Sequence, residues 1–196
     1  MSRNRLEAFS DGVIAILITI MVLELKVPHG GDWDALFERR HEFSAYVLSF
    51  VYLGIYWNNH HHMLHTVTRV TGSMLWANLH LLFWLSLVPF TTAWVGENET
   101  SSPPAVVYGV VLVCSAIAWT ILQTRIVRVL GPDSTLARAV GRDNKGKASI
   151  ACYVLGIAGS FAHPMVGNAF YALVAVIWLV PDRRIEQRLA EHAGEP

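Results

Sequence analysis

Apolar residues in this chain gather in long runs separated by short polar segments, near residues 8–25, 43–65, 74–96, 104–127, 148–163 and 165–180. Within 9–23, 43–64, 74–96 and 104–122 there is no Lys or Arg, and Asp11 is the only Asp or Glu. A helix of about 20 residues crosses a hydrocarbon core about 30 Å thick, and a helix satisfies its own backbone groups where lipid offers them no partner. The pattern therefore predicts an all-α, polytopic membrane protein: six transmembrane helices forming a single domain over residues 1–196. The last two runs are short and divided only by the His163-Pro164 break. No soluble domain, low-complexity tract or internal repeat is evident.

The connectors add local detail. From Lys26 to Glu42 the chain carries Pro28, Gly30 and Gly31 and then Trp33-Asp34-Ala35-Leu36-Phe37. Asp32 is thus placed to cap a short amphipathic helix at the membrane interface, with an ordered loop as the alternative. The stretch from Gly131 to Lys147 reads as a polar connecting loop. Gly109, Gly156, Gly159 and Ser160, with Ala116, Ala118 and Ala158, put small residues on the fourth and fifth runs, where they permit close helix approach. Of Trp33, Trp57, Trp76, Trp84, Trp94, Trp119 and Trp178, those near run ends are expected to anchor in the interface.

Composition agrees with the pattern, since 53% hydrophobic residues and a mean hydropathy of +0.38 lie above what a water-soluble domain shows and 15% charged residues lie below it. The 15 Lys and Arg balance 15 Asp and Glu, which leaves no basic footprint for nucleic acid. Cys114 and Cys152 lie inside apolar runs and form no disulfide framework. Arg3 and Arg5 precede the first run as in a signal peptide, but that run continues to Leu25 without an Ala-x-Ala site, so it is read as a retained helix. If the N-terminus lies inside, the inner segments hold Arg3, Arg5, Arg69, Arg125, Arg128, Arg138, Arg142, Lys145, Lys147, Arg183, Arg184 and Arg188, against Lys26, Arg39 and Arg40 outside. The bias predicts a multi-pass protein of the cell membrane with both termini cytoplasmic. Arg125 and Arg128, at the inner end of a run, are snorkelling anchors rather than a voltage sensor.

Polar residues within runs are the informative ones, because ionisable groups there are costly and face a cavity, a pore or a partner. Three groups stand out: Arg5 to Asp11, then Trp57-Asn58-Asn59-His60-His61-His62 with His65, then Asn78 and His80. If successive spans alternate in direction, all three lie within about two helical turns of the cytoplasmic edge. An acid at Asp11 amid Arg5, imidazoles and amides would be satisfied by charge-assisted hydrogen bonds. Two other readings stay open at this point. The residues could be interfacial and wetted by headgroups, or His61 and His65, four apart on one face, could bind haem or metal with His80, although no Cys or acidic ligand is spaced to join them.

Arg5-x-x-x-Phe9-Ser10-Asp11 resembles the signature of the transmembrane protein 175 family of potassium channels. Trp57-x-x-His60-His61 and the segment from Asn78 to Pro89-Phe90 look like the second and third helices of its bacterial members, so the resemblance covers about residues 3–91. It implies a potassium-permeable leak channel in the lipid bilayer, with a central pore lined by the first helix of each unit. One signature per chain implies a homotetramer. It also implies a polar network of Arg5, Phe9, Ser10, Asp11, Trp57, His60, His61 and Asn78.

The chain has no Thr-Val-Gly-Tyr-Gly-type carbonyl loop and no mid-membrane acid that could form a ring, so selectivity must arise otherwise. On the first run Ile16, Ile20 and Leu23 share one stripe, with Thr19 adjoining. That run is apolar on every side, so periodicity alone leaves open whether the stripe faces a pore or packs. Counted from Asp11, Ile16, Thr19 and Leu23 resemble the family's pore positions, with Ile20 beside them. The resemblance thus implies a hydrophobic constriction, no enzyme activity, no cofactor and no bound metal. A metal- or haem-binding redox protein and a proton-coupled transporter using Asp11 and the histidines are the alternative functions.

Overall fold

A computed structural model describes residues 2–141 and 143–179. Arg142, Arg183, Arg184 and Arg188, the last residue of the final predicted run and the C-terminus lie outside the described residues. All regular structure among the described residues is helical. The helices are α1 (Arg3–Leu23), α2 (Trp33–Glu38), α3 (Arg40–His65), α4 (Gly72–Ser86), α5 (Val88–Glu97), α6 (Ser102–Leu130), α7 (Thr135–Val140), α8 (Asn144–Ala162) and α9 (Pro164–Leu179).

Among the described residues, three stretches are long and apolar enough to cross a membrane by length and composition: Arg3–Leu23, Gly72–Glu97 and Ser102–Leu130. Pro164–Leu179 is a shorter apolar helix. The Gly72–Glu97 stretch is interrupted at Leu87, because Pro89 has no N–H to bond the carbonyl one turn back. Side-chain hydroxyls bond carbonyls beside the break: Thr91 Oγ1 donates to Leu87 O at 3.1 Å, and Thr92 Oγ1 to Val88 O at 2.7 Å. In an apolar surrounding such bonds make the interruption tolerable.

The short helix after the first run forms around its cap, with Asp32 Oδ1 accepting from the Ala35 N–H at 3.0 Å. Trp33, Leu36 and Phe37 on it are exposed, as suits an interfacial element. In the connector read as a loop, the structure forms α7, capped by Ser134 Oγ accepting from the Ala137 N–H at 3.2 Å, and Leu136 is buried in the core.

Two apolar cores hold the helices together. One joins α1, α3, α4 and α6 through Leu6, Ile14, Leu53, Leu81, Leu122 and Ile126. The other joins α3, α6, α8 and α9 around Tyr52, Tyr108, Tyr153 and Tyr171. The phenols there are not left unpaired: Tyr52 donates to Tyr171 O at 2.6 Å, Tyr171 donates to Ala105 O at 3.1 Å, and Tyr108 shares a hydrogen bond of 2.8 Å with Ser49. Gly109 makes room for this cluster, since a Cβ there would lie 2.6 Å from Ile157 Cγ1 and 2.7 Å from Tyr171 Cζ. Gly159 does the same for Val166, whose Cγ1 would be 2.6 Å away. The small residues of α6 and α8 thus sit where helices approach closely. By contrast α1 packs chiefly on α3, α4 and α5.

Candidate functional site

The site is built on α1, whose two faces differ. Leu6, Ser10, Ile14, Leu17 and Met21 recur every three or four residues and are buried against the other helices. Arg5, Phe9, Gly12, Ile16, Thr19, Ile20 and Leu23 follow the same period on the other side and are exposed. Ile16 is 56% and Leu23 79% exposed. Of the apolar span of α1 only 28% is buried, against 44% for each of the other two long spans. Thr19 Oγ1 donates to Ile16 O at 2.9 Å, which satisfies the hydroxyl on its own helix and leaves its oxygen on the uncovered face. Ile18 packs against the core.

What sets this rotation is a buried hydrogen-bond chain across three helices. Ser10, His60 and Asn78 are each fully buried. Ser10 Oγ donates to Leu6 O at 2.9 Å and accepts from Asn78 Nδ2 at 2.9 Å. The Asn78 amide is thereby oriented with Oδ1 toward His60, 2.7 Å from Nε2. A carbonyl oxygen only accepts, so the His60 proton is on Nε2 and the ring is the donor. In the order His60 to Asn78 to Ser10 to Leu6 each link joins a donor to an acceptor, and the chain of bonds pins α3, α4 and α1 together. His60 Nδ1 and Asp11 Oδ1 are buried with no hydrogen-bond partner among the described residues.

The other polar residues fall differently from the charge-assisted network expected around Asp11. Arg5 is exposed and makes no hydrogen bond or ion pair among the described residues, and Phe9 is exposed beside it. The acid that meets the histidines is Glu7, one turn before Asp11 on α1. Its Oε1 lies 2.8 Å from His61 Nδ1 and 3.9 Å from His65 Nε2. Trp57 stacks on His61, with ring centroids 6.4 Å apart. The expectation that no acidic ligand joins the histidines is thus corrected by an acid from another helix. His80 does not join them: it is exposed, and its Nε2 accepts from Trp84 Nε1 at 2.9 Å on its own helix.

A family model described as endosomal/lysosomal potassium channel TMEM175 matches residues 5–89, which hold α1 from Arg5 onward, the hydrogen-bond chain and the break at Leu87. A protein of Chryseobacterium sp. (strain P1-3) described as a potassium channel is 56% identical over 192 residues, covering 98% of this chain and 100% of that one. The endosomal/lysosomal proton channel TMEM175 of Gallus gallus is 36% identical over 114 residues, 52% of this chain and 23% of the longer animal protein. Among solved structures, the crystal structure of a lysosomal potassium-selective channel TMEM175 homolog from Chamaesiphon minutus superposes with a TM-score of 0.82 at 27% identity, over 92% of this chain and 97% of that one.

Proposed function

This chain belongs to the TMEM175 family of channels, and from that premise we propose that it is a potassium-permeable leak channel of the cell membrane, assembled from four copies around the exposed face of α1. The observation that carries the proposal is that face. Ile16, Thr19, Ile20 and Leu23 lie along one helix, uncovered by the chain's own core, on a helix that packs chiefly on α3, α4 and α5. Four such helices about an axis stack rings of Ile16 and Leu23 with a Thr19 hydroxyl ring between them. An apolar ring passes an ion only when the passage is wide enough to hold water, so its width sets both current and preference among ions.

In this reading α1, α3, the α4–α5 pair, α6, α8 and α9 are the six spans and both termini are cytoplasmic, as the distribution of Lys and Arg favours. The function is passive permeation, with no covalent chemistry and no cofactor. His80 is turned to Trp84 on its own helix and does not meet His61 and His65, so the set of three imidazoles that a haem or redox centre would use is not assembled among the described residues. The relatives divide between proteins described as potassium channels and as proton channels, so the test separates the two ions.

Purified protein in liposomes loaded with K+ and diluted into Na+ is expected to develop an inside-negative potential, which drives proton uptake once a protonophore is added. Uptake without protonophore shows that protons pass through the protein as well. No uptake with protonophore, in vesicles that respond normally to valinomycin, overturns the potassium reading.

A further inference from the structure

We propose that Glu7, His61 and His65 bind a divalent transition-metal ion, Zn2+ being the type, and that the ion ties α1 to α3 beside the buried hydrogen-bond chain. One ligand atom from each of the three residues lies within 4.8 Å of the other two. Zn2+ holds nitrogen and oxygen ligands at about 2.0–2.2 Å in a tetrahedron, which places neighbouring ligand atoms about 3.3 Å apart. The observed 2.8 Å and 3.9 Å from Glu7 Oε1 to the two imidazoles bracket that value. Small rotations of the side chains therefore close the site with no movement of the helices.

The donor set suits this class of ion. Two imidazoles and one carboxylate, with further positions open to water, match an incomplete zinc shell, whereas Ca2+ and Mg2+ seek oxygen ligands in greater number. His61 and His65 are four apart on α3, their rings 4.6 Å between centroids, so they converge on one side of the helix. His60 and His62 point elsewhere on the same turn. Glu7 is held in place, with 15% of its side chain exposed, while the two imidazoles are 40% and 49% exposed and give an ion a route in from solvent. Stacking on Trp57 orients His61. The opposing influence is Arg3, whose Nη1 donates to the His65 carbonyl at 3.2 Å and adds a positive charge near the site.

In the metal-free protein His61 Nδ1 lies 2.8 Å from Glu7 Oε1. An ion is held by the neutral imidazole lone pairs and the carboxylate, so binding excludes protons from the ligand atoms and competes with them, as at any site whose ligands must be deprotonated. None of the three residues belongs to the exposed stripe of α1, and binding is read on the purified protein, so the inference stands or falls separately from the channel reading.

The test is a competition titration of Zn2+ against a chromophoric chelator, using tag-free protein in detergent. One Zn2+ per chain is expected, with affinity lowered by at least about 10–100-fold in Glu7→Gln, His61→Asn and His65→Asn, since even outer-shell partners of a metal cost that much. His62→Asn and His80→Asn are expected to bind as the wild type does. Thermal unfolding supplies a second readout: Zn2+ should raise the melting temperature of the wild type and leave that of His65→Asn unmoved. His65 is exposed at the end of α3, so that variant is expected to fold even if Glu7→Gln does not. Folded wild type that binds no Zn2+, or binding and stabilisation undiminished in His65→Asn, overturns the proposal.

Discussion

Asn78 decides more about this molecule than any charged residue does, because both ends of its amide are committed inside the bundle. Asn78→Ala leaves the His60 N–H without an acceptor and removes the donor to Ser10, so a loss of about 1–3 kcal/mol is expected from the buried groups left unpaired. Ser10→Ala should cost less, since it orphans only one Asn78 N–H while sparing the bond to His60. Chemical unfolding in detergent measures both, and equal losses would mean that the chain does not act as the geometry implies. Ser10, His60 and Asn78 were legible in the sequence because a polar group in an apolar run has to find a partner. Glu7 was not, since it sits among Arg3 and Arg5 at a helix end where charge is unremarkable and the imidazoles it meets are more than fifty residues away. Pairing Arg5 with Asp11 failed for a related reason: spacing along a helix fixes direction around its axis, not what another helix presents there.

Between elements, contact distance is set by the smallest side chains. At Gly109 even a Cβ would collide with Tyr171 and Ile157, and the displaced ring would lose its bond to Ala105 O. Gly109→Val is therefore expected to cost at least the about 1–3 kcal/mol typical of overpacking, and to reduce the yield of monodisperse protein on size exclusion. Gly12→Ala is the counterpart: a Cβ there meets nothing within 4 Å, so the fold should tolerate it and gain the small advantage of Ala over Gly in a helix. The helices were readable because apolar runs are long and lipid allows a run little other structure. The break at Leu87 was less so, since Pro89 lies inside a continuous apolar run and its effect depends on the hydroxyls of Thr91 and Thr92 bonding the carbonyls nearby. The turn of helix in the second connector is faint in the sequence because its marks are only Ser134 as cap and Leu136 as a single buried anchor.

At the scale of the assembly, the account requires four-fold or near four-fold symmetry with α1 innermost, because one exposed stripe per chain encloses a passage only when several copies meet. The mass of the purified complex and the symmetry of its projections test this, and a stable monomer would count against it. A bulky residue at Gly12 separates chain from assembly: Gly12→Leu should leave the single-chain fold intact yet impair tetramers or current, since its side chain enters only the shared space. The central claim, that this face of α1 is the pore wall, is tested most directly by reversal potentials under opposed K+ and Na+ gradients. Ile16→Ala and Leu23→Ala remove volume from every subunit at once, so the passage should widen, hold water more readily and admit ions with more of their hydration. Larger current with a lower preference for K+ over Na+ is expected in both. Ile18→Ala, packed against the core and about 200° around the helix from Ile16, should leave the reversal potential unchanged. Unaltered selectivity in Ile16→Ala and Leu23→Ala, with a shifted reversal potential in Ile18→Ala, would contradict the account.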